Sequence, residues 1–138
     1  MIGKLDHVGI AVRSIAEARK FWEALGLRVT AIEEVPQEGV RVAIIPCGES
    51  RIELLEPIGE GSVVAAFLER RGEGVHHVCL GSDDVAAEDE ALRAAGFEVL
   101  RPEPTLGAGG SRVQFVHPRS AHGVLVELAQ PARPAEDG

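Results

Sequence analysis

Four side chains able to hold a divalent cation recur at matched places in the two halves of this sequence. His7 and Glu53 lie in the first half, His77 and Glu127 in the second. Each histidine stands near the start of a strand-like run, DHVGIAV or HHVCLG, and each glutamate interrupts an apolar run, RIELL or VLVEL. Neighbouring strand residues point to opposite faces, so parity sorts them. Val8, Ile10 and Val12 form a bulky set suited to packing under a helix, which leaves His7, Gly9 and Ala11 on the other face. His77, Cys79 and Gly81 form the same kind of set, with His76, Val78 and Leu80 on the helix side. Ile52 and Leu54 face a helix while Glu53 points away, and Glu127 points away from Val124, Val126 and Leu128. A carboxylate inside an apolar strand is costly unless something pairs with it. Two of them beside two imidazoles are most simply accounted for by a metal ion. Mixed nitrogen and oxygen donors suit an octahedral or near-octahedral Co²⁺, Mn²⁺, Ni²⁺ or Zn²⁺, with two positions left for water or substrate.

The elements that must position these residues form an internal repeat. Residues 5–29, LDHVGIAVRSIAEARKFWEALGLRV, align with 75–99, VHHVCLGSDDVAAEDEALRAAGFEV. Each half reads as a strand, then an amphipathic helix stopped by a glycine, Gly26 or Gly96, then a further strand, RVTAIEEV or FEVLR. EGVRVAIIPCG (38–48) parallels GSRVQFVHPRS (110–120), and SRIELLEP (50–57) parallels GVLVELAQP (123–131). The expected fold is therefore α+β: two βαβββ modules, 1–58 and 74–130, whose curved sheets share one metal-binding cleft. Segment 59–73 reads as a linking helix with Ser62 as N-cap, and 131–138 as a flexible tail.

A chain of 138 residues with 45% hydrophobic and 26% charged residues can bury a core as one domain. The net charge of −8 opposes nucleic acid or an anionic membrane as partner. No apolar run reaches the roughly 20 residues of a membrane span, and MIGKLDHVG lacks the apolar core of a signal peptide. A cytoplasmic protein with Cys47 and Cys79 as reduced thiols is expected. His76 reads as structural. Glu33, Glu34 and Glu38 read as a solvated face, His117 and His122 as exposed loop residues. LGAGGSR (106–112) reads equally as a plain connection or an anion cradle.

The paired units, opened by DHVGIAV and HHVCL, resemble the vicinal-oxygen-chelate (glyoxalase/extradiol dioxygenase) superfamily. The runs EPTLGAGGSRVQFVHPRSAHGVLVELAQ and RIELLEPIGEGSVVAAFLERRGEGVHHVCL are similar to methylmalonyl-CoA epimerases, and the likeness spans about 4–130. The resemblance implies metal ligands at His7, His77 and Glu127, with a fourth at Glu53, where some relatives have glutamine. It implies an isomerase that interconverts (R)- and (S)-methylmalonyl-CoA by moving the α-proton through a metal-stabilised enolate, Glu127 being a proton-transfer group, with Co²⁺ the first choice of metal. Some relatives carry a further acid on the strand that reads GVRVAII here, where this chain has only Arg41 and Val42. Glu53 is the nominee for second base, by analogy with two-glutamate glyoxalase sites. A homodimer and a role in propionate metabolism are also implied. Arg41, Arg51, Arg101, Arg112 and Arg119 are candidates for the CoA phosphates. The competing readings are a glyoxalase I (lactoylglutathione lyase) type isomerase, an extradiol dioxygenase, and a non-enzymatic ligand-binding protein of the same fold.

Overall fold

The computed structural model describes residues 1–132, so most of the expected tail, 133–138, lies outside the described residues. In chain order the elements are β1 (Ile2–Ala11), α1 (Ile15–Ala24), β2 (Ala31–Val35), β3 (Val40–Cys47), β4 (Ser50–Pro57), α2 (Val63–Arg71), β5 (Gly74–Ser82), α3 (Val85–Ala94), β6 (Thr105–Leu106), β7 (Arg112–Val116) and β8 (Val126–Gln130). Among the described residues, no helix is long and apolar enough to cross a membrane. The chain forms two compact units, one of residues 6–78 and one of 1–5 with 79 onward. The division falls inside β1 and β5, so each of these strands contributes to both units.

In the unit of residues 6–78 the strand order is β2-β3-β4-β1. β3 runs antiparallel to both β2 and β4, whereas β1 runs parallel to β4, with Gly9 opposite Glu53 and His7 opposite Arg51. Side-chain parity acts as expected on one face. Ile10, Val12, Ala43, Ile45, Ile52 and Leu54 pack with Ile15, Ala18 and Trp22 of α1. Ser14 starts that helix by accepting from the Glu17 amide, and Gly26 follows its last turn at φ 91°, a conformation that costs glycine no Cβ clash. The opposite face carries His7 and Gly9, and its far end is covered. Ala11, Val35, Val40, Val42 and Leu55 pack against Val64, Phe67 and Leu68 of α2. Ser62 caps α2 by accepting from the Ala65 amide, as its sequence position implies.

The other unit has the order β5-β8-β7-β6. Cys79, Val113 and Ala129 form its core with Phe115 against them. Its buried polar centre is Gln114, whose amide donates to Asp89 of α3 at 2.7 Å and to the Arg101 carbonyl at 3.0 Å. Gln114 Oε1 in turn accepts from the backbone amides of Arg101 and Phe115. The strand expected at FEVLR shrinks to a single bridge, Val99 with Val116. Pro102 and Pro104 have no amide to continue a ladder, and the Arg101 amide is taken by the Gln114 side chain. The next pairing is the short β6.

Leu54 is fully buried between the β3 and α1 side chains. Leu54→Ala is expected to lower unfolding free energy by about 2–5 kcal/mol, read as a lower urea midpoint at an unchanged m-value.

Candidate functional site

The unit of residues 6–78 brings three of the four nominated side chains together. β1 supplies His7, β4 supplies Glu53 and the start of β5 supplies His77. The two imidazoles face each other with Nε2 atoms 3.0 Å apart and rings nearly perpendicular. Both histidines are buried, at 6% and 7% exposure. The approach depends on Gly9. A Cβ there would press on His77 Cε1 and stand 2.6 Å from Nδ1 and 2.8 Å from Nε2, closer than real Cβ atoms come. The small residue beside His7 therefore leaves room for the other histidine.

Behind the pair lies a charged cluster. Asp6 Oδ2 is 2.8 Å from His7 Nδ1, so a proton on Nδ1 is donated to Asp6 and the Nε2 lone pair is turned toward His77. Arg51 donates to Asp6 at 2.8 Å, and through Nε and a terminal nitrogen to Glu53 Oε2 at 3.1 and 2.9 Å. Glu53 Oε2 also lies 3.3 Å from His7 Nδ1. Asp6 and Glu53 are nearly enclosed, with side chains 8% and 12% exposed. Two carboxylates thus share one guanidinium beside the imidazoles. His77 has its own neighbour: its Nδ1 is 3.0 Å from His76 Nδ1, and the His76 ring meets the edge of Phe67 from α2.

These residues fit a divalent cation. Two nitrogens bound cis at about 2.0–2.1 Å from one ion lie about 3 Å apart, the spacing of the two Nε2 atoms. Both are imidazole donors, and carboxylates adjoin them. Glu53 reaches the cluster on the Nδ1 side of His7, with Oε2 held by Arg51, so Oε1 is the oxygen it can offer elsewhere. Glu127 belongs to the other unit, half-buried on β8 opposite Phe115.

Asp6 is the residue that parity reasoning missed. Its strand position assigns it to the helix face, yet its carboxylate turns along the strand to His7. A buried acid directly before a candidate ligand is the signal that finds it. Arg51, grouped by sequence with possible CoA contacts, is committed to Asp6 and Glu53. Arg41 donates to Glu56 at 2.7 Å and to Glu34 at 2.8 Å; these carboxylates, Glu34 first, hold its guanidinium above the ordinary arginine pKa. Glu34 is therefore paired as well as solvated. Arg101 lies over the Phe115 ring and donates to Thr105. Arg119 donates to Glu98 and holds that carboxyl below its usual range. Arg112 is exposed, with no side-chain partner among the described residues. His117 Nδ1 accepts from the Arg119 amide and caps a short 3₁₀ turn, while His122 closes that turn in the left-handed region. In the LGAGGSR loop the Gly107 amide donates to the Ser111 carbonyl, so the segment turns a hairpin between β6 and β7.

Residues 6–115 match the family model described as "Glyoxalase/Bleomycin resistance protein/Dioxygenase superfamily". The ethylmalonyl-CoA/methylmalonyl-CoA epimerase of Cereibacter sphaeroides is 44% identical over 133 residues, which cover 94% of this chain and 99% of that protein. The crystal structure of methylmalonyl-CoA epimerase from Mycobacterium tuberculosis superposes with a TM-score of 0.90 at 35% identity, covering 96% of this chain and 90% of that one. A methylmalonyl-CoA epimerase solved with methylmalonyl-CoA and NH₄⁺ superposes with a TM-score of 0.89 at 38% identity, over 96% of both chains.

Gly9→Ala is expected to push the His77 ring off the β1 backbone and break its approach to His7. The imidazole nitrogen resonances of both histidines should move in a ¹⁵N NMR spectrum. Gly3→Ala, whose new Cβ would meet nothing within 4 Å, should leave them in place. Unmoved resonances in Gly9→Ala would refute the packing argument.

Proposed function

The chain belongs to the methylmalonyl-CoA epimerase family of the glyoxalase/bleomycin resistance protein/dioxygenase superfamily, and we propose that it interconverts (R)- and (S)-methylmalonyl-CoA in a divalent-metal-dependent isomerase reaction. The observation that carries the metal reading is the pair of buried Nε2 atoms 3.0 Å apart, with Asp6 fixing the orientation of one ring. His7 and His77 would hold the ion, with Glu53 and Glu127 completing the set. The repeat supports this assignment, since Glu127 occupies in RVQFV/VELAQ the place that Glu53 occupies in VRVAII/RIELL: each faces the preceding strand of its own hairpin, Phe115 or Ile44.

The reaction removes the proton from the carbon between a thioester and a carboxylate and returns one on the opposite face. An ion held by these residues would supply Lewis-acid stabilisation of the charge that develops on the thioester oxygen. Glu127 and Glu53 move the protons. One, ionised, takes the α-proton onto a carboxylate oxygen, and the other, entering the cycle protonated, gives its proton to the other face. Arg51 orients Glu53 by occupying Oε2, so Oε1 would move a proton only while released from the ion. This division of labour replaces the acid that some relatives carry on the strand reading GVRVAII, where Val42 stands here. Co²⁺ is the metal of first choice within this reading, and the working enzyme is a cytoplasmic homodimer of propionate metabolism. Exposed Phe21 and Leu25 on one side of α1, with Ile32, offer apolar surface for a second copy. Of the five candidate arginines, Arg112 is exposed with no side-chain partner among the described residues, which makes it the nominee for the anionic end of the substrate.

The test is proton NMR of a single methylmalonyl-CoA epimer in D₂O. The metal-stripped protein should leave the α-proton signal intact, and added Co²⁺ should restore both its loss and racemisation. Glu127→Gln and Glu53→Gln should each slow exchange by about 10²–10⁴-fold. Full exchange in Glu127→Gln would remove that residue from proton transfer. No exchange with any divalent ion would overturn the epimerase reading and direct assay to a glutathione hemithioacetal.

A further inference from the structure

The mechanism above uses His77 and leaves its neighbour unexplained. The geometry points to His76 as a positioning residue for His77, doing in the second repeat what Asp6 does in the first. The inference rests on the metal reading of the His7–His77 pair.

Three observations carry it. First, Asp6 and His76 are repeat equivalents, each directly preceding a nominated ligand in LDHV and VHHV. Second, each meets the Nδ1 atom of the histidine that follows, Asp6 at 2.8 Å and His76 through its own Nδ1 at 3.0 Å. Third, the His76 ring is held in place, half-buried with its edge against Phe67 at 5.0 Å between centroids. An imidazole that gives its Nε2 lone pair to a cation carries its proton on Nδ1, and that proton needs an acceptor. His76 Nδ1 is the atom in place to accept it. A neutral imidazole meets this need while keeping its ring against Phe67. The two adjacent histidines thus have separate roles. His77 binds, and His76 fixes which nitrogen of His77 is available.

The measurement is Co²⁺ affinity, by calorimetry, for the unaltered protein, His76→Phe and His76→Asn, with metal-free melting temperatures alongside. His76→Phe keeps a ring against Phe67 and removes the acceptor, and should weaken Co²⁺ binding by about 10–100-fold. His76→Asn offers an amide oxygen near the same place and should recover most of the loss. A purely structural role would instead lower the metal-free melting temperature without this pattern. Independently of any variant, ¹⁵N NMR of the Zn²⁺-loaded protein should find His77 protonated on Nδ1 and metal-bound through Nε2. Equal Co²⁺ affinity in His76→Phe and the unaltered protein, or His77 bound through Nδ1, overturns the proposal while the metal site stands. Absence of Co²⁺ binding by the unaltered protein overturns both.

Discussion

Two imidazole nitrogens that meet at 3.0 Å inside a protein must share something positive, a proton or a metal ion, because two lone pairs at that distance repel. That requirement organises the surrounding chain. His7 and His77 are separated by 70 positions, and their rings fit only because Gly9 has no side chain. The parallel pairing of β1 with β4 sets Gly9 opposite Glu53 and His7 opposite Arg51, so the same register delivers the charged cluster. α2 covers the far end of this face with apolar side chains and places Phe67 where it steadies His76.

The charges show the tension between stability and chemistry. Burying Asp6 and Glu53 is expensive, and the Arg51 guanidinium from which both accept offsets part of that cost. A core built for stability alone would use apolar residues here, as the α1 face of the same sheet does with Ile45 and Leu54. In the proposed reading, these carboxylates serve a site that attracts a cation and presents a carboxylate to a carbon acid.

Much of this was legible from periodicity. The repeat singled out both histidines and both glutamates, and parity correctly separated the face of Ile10, Ile52 and Leu54 from that of His7 and Gly9. What escaped was decided by single side chains. Asp6 has helix-face parity, and only a side-chain torsion brings its carboxylate to His7. Arg51 looked like a surface anion binder because arginine usually is one, and nothing local reveals that two buried acids claim it. Ala11, placed by parity with His7 and Gly9, lies under α2. The FEVLR segment has strand composition and its Leu100 amide still reaches the Phe115 carbonyl, but the Arg101 amide goes to the Gln114 side chain and Pro102 has none, so the ladder stops there.

The boundary between the compact units falls within β1 and β5, after Leu5 in the first strand and after Val78 in the second. The stretch that repeats in sequence and the stretch that packs as a body are therefore offset. His77 is written in the second copy of the repeat, yet Gly9, His7 and His76, which meet its ring, lie in the compact unit built mainly from the first. The beginning of each first strand lies with the compact unit built mainly from the other copy. The histidine pair is thus divided between the two copies of the repeat in sequence and gathered into one compact unit in space.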